Sequence, residues 1–342
     1  MGYGIFQTAN SPSLCSSGHA QFWWVFVFKG SRMKYLKPAL SFPEQADQLL
    51  ARGLIADRET LINRLESVNY YRLSAYWYTF RVKGASDDRL IPGTTLNVVW
   101  DRYAFDRQLR VLVIDAIERV EVAIRTQVVN QHSLKYGPFG YLNQNTLPGI
   151  SVKDHHTFLK IIHDEAEKSR EDFVLHYFDK YKREEHNLPL WMACELLTFG
   201  GTLTLFRNVE KEIKQSIAAK FGVADKVLES WLLTLNFIRN VCAHHARLWN
   251  RGMDNKEPAI PRVNKHPQWH TPVAIKPDRI FGVLTVLYYL LKQVAPQSHW
   301  RDRLIDLFDK HPDVPLKFMG FPDNWQDCPI WKHDGKFGGS DV

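Results

Sequence analysis

Residues 104–132 read AFDRQLRVLVIDAIERVEVAIRTQVVNQH and contain neither proline nor glycine. Apolar side chains recur in this stretch every three or four residues, the spacing that lines up one side of an α-helix. The repeating positions are Phe105, Leu109, Leu112, Ala116, Val120 and Ile124. The pattern predicts one long amphipathic helix, with Glu121 and Arg125 forming a surface pair across one turn of its polar side.

The same periodicity predicts further helices on both sides of this one. They span residues 42–52, 57–67, 74–82, 151–168, 173–182, 191–199, 209–221, 225–245, 279–293 and 301–310. Clusters of glycine and proline predict breaks at 91–93, 136–138, 147–149 and 200–201. Five prolines without periodicity predict a long loop over 251–277. The chain is therefore expected to be all-α.

One predicted helix has a distinctive polar side within the string SWLLTLNFIRNVCAHHARLWNR, residues 230–251. At about 100° per residue, its apolar side chains spread over one broad, buried side of the helix. The remaining wedge holds Asn236, Arg239, Asn240, His244 and Arg247. Arg239 and His244 lie at opposite margins of this wedge, about 140° apart, so a single phosphate between them is awkward within one chain.

These residue types suit chemistry on a phosphodiester of RNA. The His244 imidazole can take a proton from a ribose 2′-hydroxyl or return one to the leaving oxygen. Arg239 offers a planar fork of donors to the charge that develops on the phosphoryl oxygens. Asn240 would orient the substrate or the imidazole. The same residues also fit an ordinary solvated helix face, and spacing alone leaves both interpretations open.

The arrangement of Arg239, Asn240 and His244 resembles the motif of the HEPN superfamily. The longer string RNVCAHHARLWNR, residues 239–251, resembles the Abi-like family of bacterial abortive-infection proteins. Four further blocks are similar to that family: VNYYRLSAYWYTFR at 68–81, YAFDRQLRVLVIDAIERVEVAIR at 103–125, LPLWMACELLTFGG at 188–201 and MGFPDNW at 319–325. The resemblance runs from about residue 33 to 325.

The resemblance implies a HEPN-like helical bundle with additional N- and C-terminal helices. It implies a metal-independent endoribonuclease of phage defence that leaves a 2′,3′-cyclic phosphate and works as a homodimer with a composite cleft. The expected catalytic residues are Arg239, Asn240 and His244, and the expected substrate-binding residues are Asn236, His245, Arg247 and Arg251. The alternative is a non-catalytic RNA-binding or regulatory component of a defence or toxin–antitoxin system. An antitoxin protein, a regulatory RNA or a gate in the 251–277 loop are all open as means of control.

The domain organisation expected from these blocks has three parts. Residues 33–325 form the family domain, with an N-terminal part at 33–150 and a C-terminal part at 151–325, and residues 326–342 form a tail. Residues 1–32 match nothing in the family. They are either an extension that packs its aromatic strip, FWWVFVF at 22–28, on the body or a partner, or the product of a start codon assigned too far upstream.

Composition favours a globular protein of the cytoplasm. The chain has 342 residues, 45% of them hydrophobic, and four widely separated cysteines that fit neither a disulfide framework nor a zinc cassette. No apolar run approaches the roughly 18 to 20 residues needed to cross a bilayer. The formal net charge is +7, and residues 231–303 alone carry eleven Lys or Arg against four Asp or Glu. This excess suits a phosphate-binding surface or a solvated basic loop.

Other polar and aromatic residues lend themselves to more than one interpretation. Tyr70, Leu73, Trp77 and Phe80 lie at core spacing, which leaves Tyr71, Arg72 and Tyr78 as candidates for contact with bases. Glu195, amid apolar neighbours, either pairs with a buried Arg or His, supports Arg239 or His244 from behind, or faces water. The pairs His155-His156 and His244-His245 do not suit a metal, because adjacent residues on a helix point about 100° apart. No cofactor is expected.

Overall fold

The computed structural model describes residues 38–85, 87–181 and 186–332. The chain falls into two compact units, Met1–Ser41 and Phe42–Val342. The described residues of the first unit, 38–41, have no regular secondary structure. The expected extension at 1–32 lies outside the described residues, and so do residues 333–342 of the expected tail.

The second unit is helical, as predicted, and its described residues contain twelve α-helices and no β-strand. The helices are α1 Phe42–Ala51, α2 Arg58–Val68, α3 Tyr70–Trp77, α4 Leu96–Tyr136, α5 Val152–Lys168, α6 Asp172–Tyr181, α7 Leu190–Ala193, α8 Phe199–Asn208, α9 Lys211–Lys220, α10 Asp225–Ala243, α11 Ile280–Val294 and α12 Trp300–Lys310. Short 3-10 helices lie at Tyr78–Phe80, Gly140–Leu142, Gln144–Thr146, Cys194–Leu196, Pro267–Trp269, Leu316–Met319 and Trp325–Asp327.

Helix α4 is the predicted long helix, and it forms the axis of this unit. It is 41 residues long because the apolar pattern continues upstream to Leu96, where the Thr95 side chain caps the helix by accepting from the backbone N–H of Val98. It ends at Gly137, whose φ of 75° favours glycine. Helices α3, α7, α8, α9, α10, α11 and α12 all pack against it. The expected N-terminal and C-terminal parts of the family domain therefore share one core.

Helix α11 fills the centre of that core beside α4 and α10. Ten of its fifteen residues are buried, which its almost wholly apolar sequence, IFGVLTVLYYLLKQV, allows. A Cβ at Gly282 would lie 2.5 Å from the carbonyl oxygen of Lys276, so only glycine lets the preceding loop approach the helix this closely. The described start of the expected tail belongs to the same core, because Cys328, Ile330 and Trp331 are buried.

Several predicted helix boundaries are wrong, two of them because of capping residues. Gly200 and Gly201 do not break a helix but begin α8, whose first turn is capped by Thr198. Helix α3 starts at Tyr70 rather than at residue 74, because the Asn69 side chain accepts from the Tyr71 backbone N–H, 2.8 Å away, and starts the helix there. The predicted loop after α10 is confirmed, and it packs its own Trp269 into the core. In the part of the chain that the structure describes, no helix has the length and apolar character of a membrane span.

Candidate functional site

Helix α10 presents the polar wedge much as its periodicity predicts. Leu235, Ile238 and Cys242 are buried against the rest of the unit. On the outer side, Asn240 and His244 are exposed, and Asn236 and Arg239 are half-buried. The exposed imidazole and amide are therefore open to a ligand from solvent.

The helix ends earlier than predicted, and this moves the last residues of the wedge. The backbone N–H of His245 donates to the carbonyl of Cys242 over 3.0 Å, and that of Ala246 donates to Val241 over 2.9 Å. This pair of bonds is a Schellman motif, which normally has glycine at its left-handed position. Here His245 occupies that position, with φ 57°. The prediction that α10 reaches residue 245 is wrong, and so is the placement of Arg247 on its helical face.

The residues after the helix turn back onto α3. The Arg247 guanidinium donates to the carbonyl of Ala75 over 2.8 Å, and Arg251 Nε donates to the carbonyl of Arg247 over 2.8 Å. In the opposite direction, Arg72 of α3 donates to the carbonyl of His245. We call residues 244–249 the motif turn. The two histidines at its start are thereby held between α10 and α3.

A buried carboxylate fixes the end of the motif turn. Asp106 of α4 is fully buried and accepts from the backbone N–H groups of Leu248, at 3.1 Å, and Trp249, at 2.5 Å. The Tyr76 hydroxyl of α3 donates to the same carboxylate over 2.5 Å, and Arg110, one turn further along α4, forms an ion pair with it. Helices α3, α4 and the motif turn therefore meet at a single side chain.

Arg239 lies at the margin of the wedge, on the side of α4. Its guanidinium is 3.4 Å from Asn240 Oδ1, so Asn240 orients the arginine in the described structure. Burial raises the pKa of the Glu121 carboxyl on α4, and the charges of Arg125 and Arg239 oppose that rise. Glu121 pairs with Arg125 at 2.8 Å, but both side chains are largely buried rather than on the surface as expected. The charge of Arg239 thus has a fixed acidic neighbour.

Asn236, one turn earlier, faces another element. A Cβ built on Gly200 would lie 3.9 Å from Asn236 Nδ2, so the amide sits beside the first turn of α8. Arg125 also reaches this region, since it donates to the carbonyl of Leu197 over 3.0 Å. Asn236 is consequently placed between α8 and α10, at the end of the wedge away from the histidines.

Glu195 is not placed behind the motif. Its carboxylate lies 3.3 Å from the Arg125 guanidinium, and its side chain is 58% exposed. The expectation that it supports Arg239 or His244 finds no contact here, because the ion pair is made with Arg125 on α4. His132, seven residues beyond Arg125, is a core histidine: it is buried and its Nε2 is 3.2 Å from Thr146 Oγ1.

The arginines around the motif turn form no close ion pair with a carboxylate of the described residues. Within the described residues, none of Arg72, Arg239, Arg247 and Arg251 has a carboxylate oxygen within 4.0 Å. The pKa of Arg251 is lowered, first by burial and then by the charge of Arg247. By contrast, Arg301 and Arg303, at the end of the basic window, are paired with Asp302 and Asp115. The four arginines around the motif turn are thus unpaired within the described residues, whereas the two arginines at the end of the window are paired.

The other histidine pair and the cysteines serve the core or the surface. His155 is buried and its Nε2 is 2.9 Å from the carbonyl of Tyr141, while His156 is exposed. Burial raises the pKa of the Cys242 thiol to about 12, so this thiol stays protonated behind the motif. Within the described ranges, no group of three or more His, Cys, Asp or Glu side chains is arranged to hold a metal ion.

Periodicity alone missed the network of Asp106, Tyr76 and Arg110. A signal for it is present, because Asp106 and Arg110 fall on the same helical row of α4 as the buried Val113 and Ile117. A charged pair on a core-facing row indicates a buried polar contact. Tyr71 and Arg72 are predicted candidates for contact with bases, and both side chains are exposed beside the motif turn.

Comparison with known proteins agrees with this geometry. The family model described as Abi-like protein matches residues 63–250, more than half of the chain, and that range contains α3, α4, α8, α10 and the motif turn. No curated protein and no solved structure matches the chain. The chain belongs to the Abi-like family of abortive-infection proteins.

Proposed function

We propose that this protein is a metal-independent endoribonuclease that cuts RNA during phage infection, with Arg239, Asn240 and His244 as its catalytic residues. The observation that carries the proposal is the exposed imidazole of His244 among arginines that have no carboxylate partner in the described residues. Such a place attracts a phosphate and puts an imidazole, a group that can accept and donate a proton, beside it.

The proposed reaction needs only groups of the protein and the RNA. His244 accepts the proton of a ribose 2′-hydroxyl, and the 2′-oxygen attacks the adjacent phosphorus. The bond from phosphorus to the 5′-oxygen breaks, this oxygen takes up a proton from a second histidine, and a 2′,3′-cyclic phosphate remains. Arg239, oriented by the Asn240 amide 3.4 Å away, stabilises the charge on the phosphoryl oxygens.

We propose further that two copies of the chain form the complete site. Arg239 and His244 point about 140° apart on one helix. A second α10 facing the first would bring the arginine of one protomer to the histidine of the other. It would also supply the second histidine that returns the proton to the leaving oxygen.

The test is RNA cleavage by the purified protein in buffer containing a chelator. We expect cleavage that leaves a cyclic phosphate, and we expect Arg239→Ala and His244→Ala to slow it by about a hundredfold or more, since general acid–base groups contribute that much. His156→Ala and Arg170→Ala are matched controls, because both residues are exposed on other parts of the chain. These two variants should cut like the wild type.

Three results would contradict the proposal in different ways. Equal RNA loss in the wild type and both active-site variants would show a contaminating nuclease. Loss of activity on addition of the chelator would indicate a metal-dependent enzyme. Tight RNA binding without cleavage would favour the non-catalytic alternative, in which the same arginines hold RNA as part of a regulatory component.

A further inference from the structure

Two exposed tyrosines, Tyr71 of α3 and Tyr78 directly after this helix, flank the residues of α3 that contact the motif turn. Neither tyrosine takes part in the proposed cleavage. Tyr71 is 86% exposed and Tyr78 is 55% exposed, whereas Leu73 and Trp77 between them are at most 1% exposed. Seven residues bring the chain back to nearly the same helical direction, so both side chains leave one face, from Cα atoms about 10 Å apart along the helix axis. Large aromatic rings on a surface are available for stacking.

The backbone under these rings is fixed. Asn69 caps α3 by accepting from the Tyr71 backbone N–H, 2.8 Å away, and the Arg81 guanidinium lies 5.2 Å from the centre of the Tyr78 ring. A ring held on a capped helix loses little freedom when a base stacks on it, which favours affinity.

Two hydrogen bonds tie this face to the motif turn. Arg72, next to Tyr71, donates to the carbonyl of His245, and Arg247 donates to the carbonyl of Ala75 over 2.8 Å. Ala75 lies between the two tyrosines on the helical face. A strand whose phosphate reaches His244 therefore passes close to α3.

We infer that Tyr71 and Tyr78 form a stacking platform for unpaired bases of single-stranded RNA, with Arg72 supplying charge to the backbone between them. The inference rests on the proposed function, since it names the form of RNA that the site takes. In a duplex the bases are stacked on each other and cannot lie on tyrosine rings. The platform thus selects single-stranded segments and sets them in register with His244.

The experiment measures binding apart from cleavage, using the His244→Ala protein and a short RNA containing 2-aminopurine. We expect quenching of the base fluorescence on binding, and a Kd raised by at least about fivefold in Tyr71→Ala and in Tyr78→Ala, because each stacked base contributes that much. Tyr71→Phe should keep most of the affinity, since its ring also stacks. Tyr181→Ala, at an exposed tyrosine of α6, is the matched control.

The two proposals fail separately in this design. If Tyr71→Ala and Tyr78→Ala bind the single strand as tightly as the parent, or if the matching duplex binds equally well, the platform is wrong even when the wild type cuts RNA. If the wild type does not cut RNA but binding depends on both tyrosines, the platform stands and the proposed nuclease does not.

Discussion

His245 occupies a backbone conformation that glycine normally takes. Its φ of 57° lies in the left-handed region, at the position of a Schellman motif where glycine is the common residue. For a residue with a Cβ this conformation costs roughly 1–2 kcal/mol. The chain nevertheless places an exposed imidazole there, beside His244. Strain held at one exposed side chain favours a role for that side chain in binding.

The first prediction at this scale concerns His245→Gly. We expect the free energy of unfolding to rise by up to about 1 kcal/mol, because glycine removes the Cβ strain while the main-chain bonds of the turn remain. Denaturant titration measures this change. His244→Gly is the control, since His244 has φ −86° and glycine there should give no stabilisation. Unfolding of His245→Gly at lower denaturant than the wild type would mean that the turn is not strained.

The same residue explains why the sequence alone misplaced the end of α10. Helix ends are usually predicted from glycine or proline, and the string CAHHARLWN after Val241 has neither. The helical period correctly predicts that Asn240 and His244 are exposed, because it continues to the last turn of α10. It does not predict the position of Arg247, because that position depends on a contact with Ala75 of α3, which lies far away in sequence.

Helix α4 holds the motif turn in place through one carboxylate. Asp106 is fully buried and is paired with Arg110 on the same helix. Removing one partner of a buried ion pair leaves the other charge unpaired, which costs about 3–5 kcal/mol. Helix α4 therefore supports the site through Asp106 and also forms part of the core.

At the scale of the element we therefore predict that Asp106→Asn lowers the free energy of unfolding by about 3–5 kcal/mol. Asp115→Asn on the same helix is the matched control. Its carboxylate is 30% exposed and pairs with the half-exposed Arg119, so its loss should cost at most about 1 kcal/mol. Similar losses in the two variants, measured by denaturant titration, would show that Asp106 is not the anchor.

Much of the helical order was predictable from periodicity, and the exceptions have local causes. Helix α4 was longer than its clearest repeat because Leu96 and Val99 continue the buried row. Helix α8 is not predicted, because the pair Gly200-Gly201 normally indicates a break. Thr198, directly before the helix, is however a strong N-cap residue. Capping residues therefore decided boundaries that the apolar pattern left open.

At the scale of the whole molecule, the proposed homodimer predicts a result that a site within one chain would not give. Arg239→Ala and His244→Ala should each be inactive, but a mixture unfolded and refolded together should regain part of the RNA cleavage. Mixed dimers contain one intact arginine facing one intact histidine, whereas the dimer of each variant alone lacks one of these two groups altogether. Mixed dimers still lack the second histidine, so we expect only part of the wild-type rate to return. Each variant refolded alone is the control, and light scattering reports the mass of the particle. A mixture as inactive as its components would contradict the composite site.

The bonds from Leu248 and Trp249 to Asp106 join residues separated by 142 and 143 positions in the chain. Contacts of this separation form late, because much of the chain must be ordered before they close. During synthesis, Asp106 leaves the ribosome together with its side-chain partners Tyr76 and Arg110, well before the motif turn has been made. A chain still being translated therefore carries α4 without the motif turn, and ribosomes that stop before α10 release a chain that lacks the proposed catalytic residues.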